Sequence, residues 1–140
     1  MHKFIVPVLV FCCVQVLSYD VSLNDLDKKV QECMQRLKLD LNVLISHFDE
    51  KLYLPEHNSE VNTFFEKSTE CENYFEDDGK FIKHLLERDI KASYLPVLKR
   101  QDLAESVPNI AEKCVDIKDE NMGVRISKLH NCIVRAIHDL

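Results

Sequence analysis

The sequence predicts an all-α, compact single domain, and three observations carry that expectation. Apolar residues recur at intervals of three or four along nearly all of residues 19–140. Turn-forming residues are scarce: 2 Gly and 4 Pro in 140 residues are fewer than sheets, barrels or glycine-rich phosphate loops require. Cys33, Cys71, Cys114 and Cys132 each fall on, or at the edge of, the apolar face of a different helical segment. Each thiol then points toward a core, where a disulfide would staple one helix to another.

The elements follow in order. Residues 1–18 read as a secretory signal: Met1-His2-Lys3 is a short basic start, Phe4 to Leu17 is apolar apart from Gln15, and cleavage is expected before Tyr19. That stretch is too short for the ~20 residues that span a bilayer. Next, Leu23, Leu26, Val30, Cys33, Leu37, Leu41, Leu44 and Phe48 form one stripe, with Ser22 and Asp25 as a capping pair. It reads as one long helix, or as two that meet near Leu39-Asp40. Pro55-Glu56-His57-Asn58 is a turn. Val61, Phe64, Phe65, Ser68, Cys71 and Phe75 form the following stripe, which Asp77-Asp78-Gly79 is expected to end. Phe81, Ile82, Leu85, Leu86 and Ile90 make a short third element, and Pro96 marks a break. Leu103, Val107, Ile110, Cys114 and Ile117 make a stripe that Pro108 either starts or kinks. Asn121 is placed to cap a last helix with the face Ile126, Leu129, Ile133, Ala136 and Leu140.

Composition and motifs restrict the function. A net charge of -6, scattered along the chain, argues against nucleic acid or an anionic membrane as partner. Removal of Cys12 and Cys13 with the signal leaves an even number of cysteines for an oxidising compartment, so two disulfides are expected. Four thiols allow three pairings, and spacing does not choose among them. No CxxC, HxxxH or Cys/His cluster suggests a metal. In the run from Tyr74 to Leu85, Gly79 invites a calcium-loop reading, but Tyr74 and Leu85 then fill the first and last ligand places, so it fails. No GxSxG elbow or reactive lone Cys appears. His47, His57, His84, His130 and His138 are spread over separate segments and read as surface or boundary residues. Neither an enzyme nor a cofactor is expected.

The cysteine pattern, Cys33-x37-Cys71-x42-Cys114-x17-Cys132 in an exported helical chain, resembles the insect odorant-binding (pheromone and general odorant-binding) family in its four-cysteine, C-minus form. The full family pattern has six cysteines, and its second and fifth fall here on Lys67 and Gly123. Both halves of one bridge are therefore absent together. Cys71 through Gly79 and Phe81 looks like the third-cysteine helix followed by its acidic-Gly turn, and Cys114 through Ser127 to Cys132 looks like the family's fifth-to-sixth helix junction. The resemblance spans nearly all of residues 20–138.

It implies about six helices around an apolar cavity, bridges Cys33–Cys71 and Cys114–Cys132, and a secreted, extracellular carrier of small hydrophobic molecules. Olfaction and pheromone transport are the settings it suggests. A chemosensory receptor or a weak homodimer are the macromolecular partners it leaves open, with no nucleic acid and no membrane insertion. Helical phase and the resemblance together place Phe48, Tyr53, Phe65, Leu86, Tyr94, Leu98, Val107, Ile126, Leu129 and Ile133 around the ligand, with Tyr53, Tyr94 or a core-side His to orient it. A pocket of ~300–1,000 Å3 is the usual size for such a role. Acid release through a long tail is poorly served by the eight residues after Cys132, which leaves His130 or His138 as the pH-sensitive candidates. A different class remains open: a secreted helical signalling, venom or salivary effector that acts through its surface on a protein partner. The two differ in the interior, hollow in a carrier and solid in an effector.

Overall fold

The computed structural model describes residues 28–140. The expected signal segment 1–18, the Ser22–Asp25 capping pair and Leu23 and Leu26 lie outside these residues. The described chain is all-helical: α1 Lys28–Arg36, α2 Asn42–Ile45, α3 Ser59–Ser68, α4 Lys83–Asp89, a π-helical turn Ile90–Tyr94, α5 Leu95–Leu98, a 3-10 segment Gln101–Ser106, α6 Val107–Cys114 and α7 Met122–His138. The run from α4 through α5 is continuous, so it forms one bent helix and the described domain has six helical segments. Among the described residues there is no strand, only an isolated antiparallel bridge between Phe75 and Phe81. No helix of these residues is long and apolar enough to cross a membrane.

Each boundary has a local cause. The stripe from Val30 to Phe48 is two helices, not one. Lys38 takes a left-handed backbone (φ 57), Leu39 N–H bonds the Met34 carbonyl at 2.8 Å, and Lys38 N–H bonds that of Gln35 at 3.1 Å. That is a Schellman stop with lysine where glycine is usual. The Asn58 side chain caps α3 by accepting from Val61 N–H at 3.1 Å. α3 ends at Ser68, earlier than the apolar spacing suggests, because the Ser68 and Thr69 hydroxyls donate to the Phe65 and Glu66 carbonyls at 2.8 and 2.6 Å. Cys71 thus lies in a turn beyond the helix, and Phe75 lies in an excursion rather than on a helical face. Asp77-Asp78-Gly79 is the tip of that excursion and does not stop a helix: Gly79 sits at φ 88, and Glu76 N–H bonds the Lys80 carbonyl at 2.8 Å.

Pro96 does not break the chain where its sequence position suggests. It lies in the first turn of α5, and the backbone widens into the π turn immediately before it, with Leu95 N–H bonding the Ile90 carbonyl. This relieves the clash a proline ring makes with the carbonyl four residues back. The stop comes at Lys99 (φ 58). Pro108 starts α6, the first of the two roles the sequence leaves open for it, and Asn121 caps α7 through Val124 N–H at 3.0 Å, as the sequence suggests. Leu140 lies past the end of α7 and is exposed.

Disulfides join Cys33 to Cys71 and Cys114 to Cys132. With sequence separations of 38 and 18, they stabilise the domain by about 4 and about 3 kcal/mol in the chain-entropy model. The first ties α1 to the turn after α3, the second ties α6 to α7. Two apolar clusters form the interior. The larger gathers Leu86, Ile90, Leu95, Ile110, Leu129, Ile133 and Ile137 with their neighbours, and the smaller gathers Met34, Leu44, Leu54, Val61 and Phe64. Phe48 packs against both.

Candidate functional site: a cavity between two apolar clusters

Where the two clusters meet they leave a partly open cavity of about 190 Å3. Val30 and Met34 of α1, Leu41, Leu44, Phe48 and Leu52 of the following segment, and Phe64, Phe65 and Ser68 of α3 line one part. Ser93 and Tyr94 of the π turn, Val97 of α5 and His130 of α7 close the other. Two larger depressions, about 420 Å3 beside Gly79 and Arg125 and about 380 Å3 beside Leu39 and Lys67, are more open and each is lined by several charged side chains. Size does not favour them, because they are features of the wet surface and offer an apolar molecule little enclosure.

The polar part of the cavity wall is assembled from three elements. His130 Nε2 lies 2.7 Å from the Leu52 carbonyl, and Nδ1 lies 2.9 Å from the Tyr94 hydroxyl. A carbonyl only accepts, so Nε2 carries the proton and the Tyr94 hydroxyl donates to Nδ1. Phe48 stacks on the imidazole at 5.4 Å. Burial is the main reason that the His130 pKa falls to about 4, the Leu52 carbonyl and Asp49 opposing it. Burial also raises the Tyr94 hydroxyl well above its ordinary value. The imidazole is therefore neutral at pH 7.

The loop that supplies Leu52 is held against α7 at its backbone. Asn131 accepts from Leu54 N–H at 2.9 Å and donates to the Leu54 carbonyl at 2.8 Å. Leu52 itself is buried with φ 73, a left-handed conformation that a leucine keeps only where its surroundings enforce it. On the opposite side, a polar cluster fixes the run that enters the π turn. Arg88 bonds both carboxylate oxygens of Glu72 at 2.9 and 2.6 Å, and Tyr74 donates to Asp89 at 2.6 Å. The bond from Arg88 holds Glu72 below the usual carboxylate range, while burial pushes Asp89 up.

Of the ten residues placed around the ligand from the sequence, Phe48, Phe65 and Tyr94 line the cavity. Leu86, Leu98, Val107, Leu129 and Ile133 belong to the larger apolar cluster, filled core rather than wall. Ile126 is half-buried outside the lining. Tyr53 faces away, with its ring 5.8 Å from that of His138. His138 is exposed and bonds the Lys51 carbonyl at 2.8 Å, remote from the lining. His130, which reads from the sequence as a surface or boundary residue, is instead buried in the wall. A signal for this was present: it stands four residues after Ile126 and three before Ile133, on the apolar face of α7. Leu44 and Phe64 stand on apolar stripes and Met34 stands beside one, next to Cys33, but nothing local separates wall from core.

Among the described residues, no three His, Cys, Asp or Glu side chains converge to hold a metal ion. No family model, curated protein or solved structure matches the chain.

Proposed function

We propose that the protein is a secreted carrier that binds a small hydrophobic molecule in the cavity between the two apolar clusters, in the manner of the odorant-binding proteins its cysteine pattern resembles. The observation that carries this reading is the cavity itself: nine apolar or aromatic side chains from four segments face about 190 Å3 of space, with four polar residues, Ser68, Ser93, Tyr94 and His130, among the lining. A filled core would gain the dispersion contacts that this arrangement forgoes, and the Cys33–Cys71 bridge ties α1, which carries Val30 and Met34 of the lining, to the turn after α3.

The volume sets the ligand's size. It falls below the ~300–1,000 Å3 typical of drug-sized pockets and somewhat above the ~150 Å3 engineered cavity that accepts benzene. A substituted benzene or a compact terpene-sized molecule fits, and a long-chain fatty acid does not. At ~25 cal/mol per Å2, burying a few hundred square ångströms supports binding near the micromolar range after association costs. Carriage requires no nucleophile, and in the wall the Tyr94 hydroxyl and the His130 imidazole are bonded to each other.

Titration of the oxidised, delipidated protein with indole, followed by amide NMR, tests the proposal. Saturable shifts concentrated at Leu44, Phe64, Tyr94 and His130 are expected. Shifts confined to the surface, or none, contradict it.

A further inference from the structure

The carrier reading fixes a size but not a chemistry, and the protons of the cavity wall narrow the chemistry. Four polar side chains line it: Ser68, Ser93, Tyr94 and His130. The Leu52 carbonyl claims the imidazole proton on Nε2, at 2.7 Å. Nδ1 is then a bare lone pair, and it takes the only proton of the Tyr94 hydroxyl, at 2.9 Å. The Ser68 hydroxyl spends its proton on the Phe65 carbonyl, at 2.8 Å. Ser93 is also engaged within the protein. The Tyr94 and Ser68 oxygens are thus left with lone pairs and no free proton. Among the described residues, no Lys, Arg, Asp or Glu lines the cavity.

We propose that the ligand is a neutral alcohol or phenol about the size of a substituted benzene, whose hydroxyl donates to the Tyr94 or Ser68 oxygen, and that the cavity rejects ethers and carboxylates of the same shape. This rests on the carrier reading and adds the polarity of the recognised group. At Tyr94 and Ser68 an ether oxygen offers a lone pair to lone pairs, so it leaves its water partners and finds no donor there. A carboxylate enters with a full charge and meets no cation, which is worse. Burial reinforces the polarity, because it disfavours both imidazolium and phenolate and so keeps the two rings neutral.

Three probes separate these outcomes: phenethyl alcohol, benzyl methyl ether and phenylacetate, each titrated calorimetrically into the oxidised, delipidated full chain at pH 7. The ether is the more hydrophobic of the two neutral compounds, so hydrophobic burial alone ranks it first. The proposal predicts the reverse, with the alcohol bound roughly ten-fold tighter than the ether and phenylacetate weaker than both. His130→Phe provides the second readout. It removes the Nδ1 acceptor and frees the Tyr94 proton to donate to a ligand, so the preference for alcohol over ether should collapse toward parity. A merely structural loss would weaken both compounds together and leave their ratio intact, which would contradict the assigned proton positions. If the ether binds as tightly as the alcohol, or phenylacetate binds best, the proposal is overturned while the carrier reading stands. If none of the three binds the wild-type protein, both fall.

Discussion

A second proton on His130 has no acceptor ready for it. Nε2–H already bonds the Leu52 carbonyl, and Nδ1 already receives the Tyr94 proton. Protonation needs the Tyr94 hydroxyl to turn away, and it buries an imidazolium against Phe48. Burial accordingly lowers the folded pKa to about 4, against the 6.5 of an unperturbed histidine. The sign follows: the unfolded chain binds the proton first, so this residue's contribution is intact above pH 6.5 and is lost as pH falls toward 4. The full loss amounts to about 3 kcal/mol. Urea denaturation of wild type and His130→Gln at pH 7 and pH 4 is expected to show a steeper fall for wild type, and parallel falls would contradict the assignment. The same titration turns the Tyr94 hydroxyl from donor to acceptor within the wall. His138 lies outside the cavity lining, its ring bonded to the Lys51 carbonyl. At this scale the sequence was partly legible. The phase of α7 placed His130 on the apolar face, but its partners come from residues 36 and 78 positions away, which no local pattern reveals.

Helices and their stops account for the shape of the cavity. Among the described residues, three non-glycine residues hold left-handed backbones, and two of them, Lys38 and Lys99, are exposed helix stops. An L-residue there carries roughly 1–2 kcal/mol of strain, partly offset by the greater freedom of glycine in the unfolded chain. Lys38→Gly and Lys99→Gly are each expected to raise stability by up to about 1 kcal/mol, read as a higher melting temperature. No gain at either site would mean the strain is absent. Gly123 behaves oppositely. A methyl group there would strike the backbone of Asn62, where α7 crosses α3. Gly123→Ala should therefore cost about 1–3 kcal/mol, and a neutral effect would show that the crossing can open. The apolar stripes mark the helical segments, and Asn121 marks the start of the last one, whereas Pro108 reads equally as a start or a kink. The stops were harder to see. Apolar spacing continues through Lys38, and neither glycine nor proline marks the end of α1. Pro96 looked like a break because the π turn that accommodates it has no sequence signature of its own.

The molecule as a whole is two apolar clusters held around a gap. The disulfides serve them unequally. Cys33–Cys71 fastens α1, which brings Val30 and Met34 to the cavity, to the turn just past Ser68. Cys114–Cys132 fastens α6 to α7 beside the larger cluster. Replacing Cys33 and Cys71 by serine should weaken ligand binding more than replacing Cys114 and Cys132, when both variants are compared at a temperature where each is folded. Equal weakening would indicate that α1 is not part of the working wall. Helical composition, the two bridges and the existence of an interior gap were anticipated from pattern and resemblance. Which apolar residues line the gap was not, because wall and core share the same periodicity and differ only in what stands opposite them. Fluorescence of naphthylamine, titrated into the oxidised, delipidated protein at pH 7, tests the central claim most directly. The account predicts saturable binding near the micromolar range at one site per chain, displaced by phenethyl alcohol and abolished by filling the cavity with Ser93→Phe. No saturable signal from a folded protein would mean a closed interior, and the surface would then be the place to look for function.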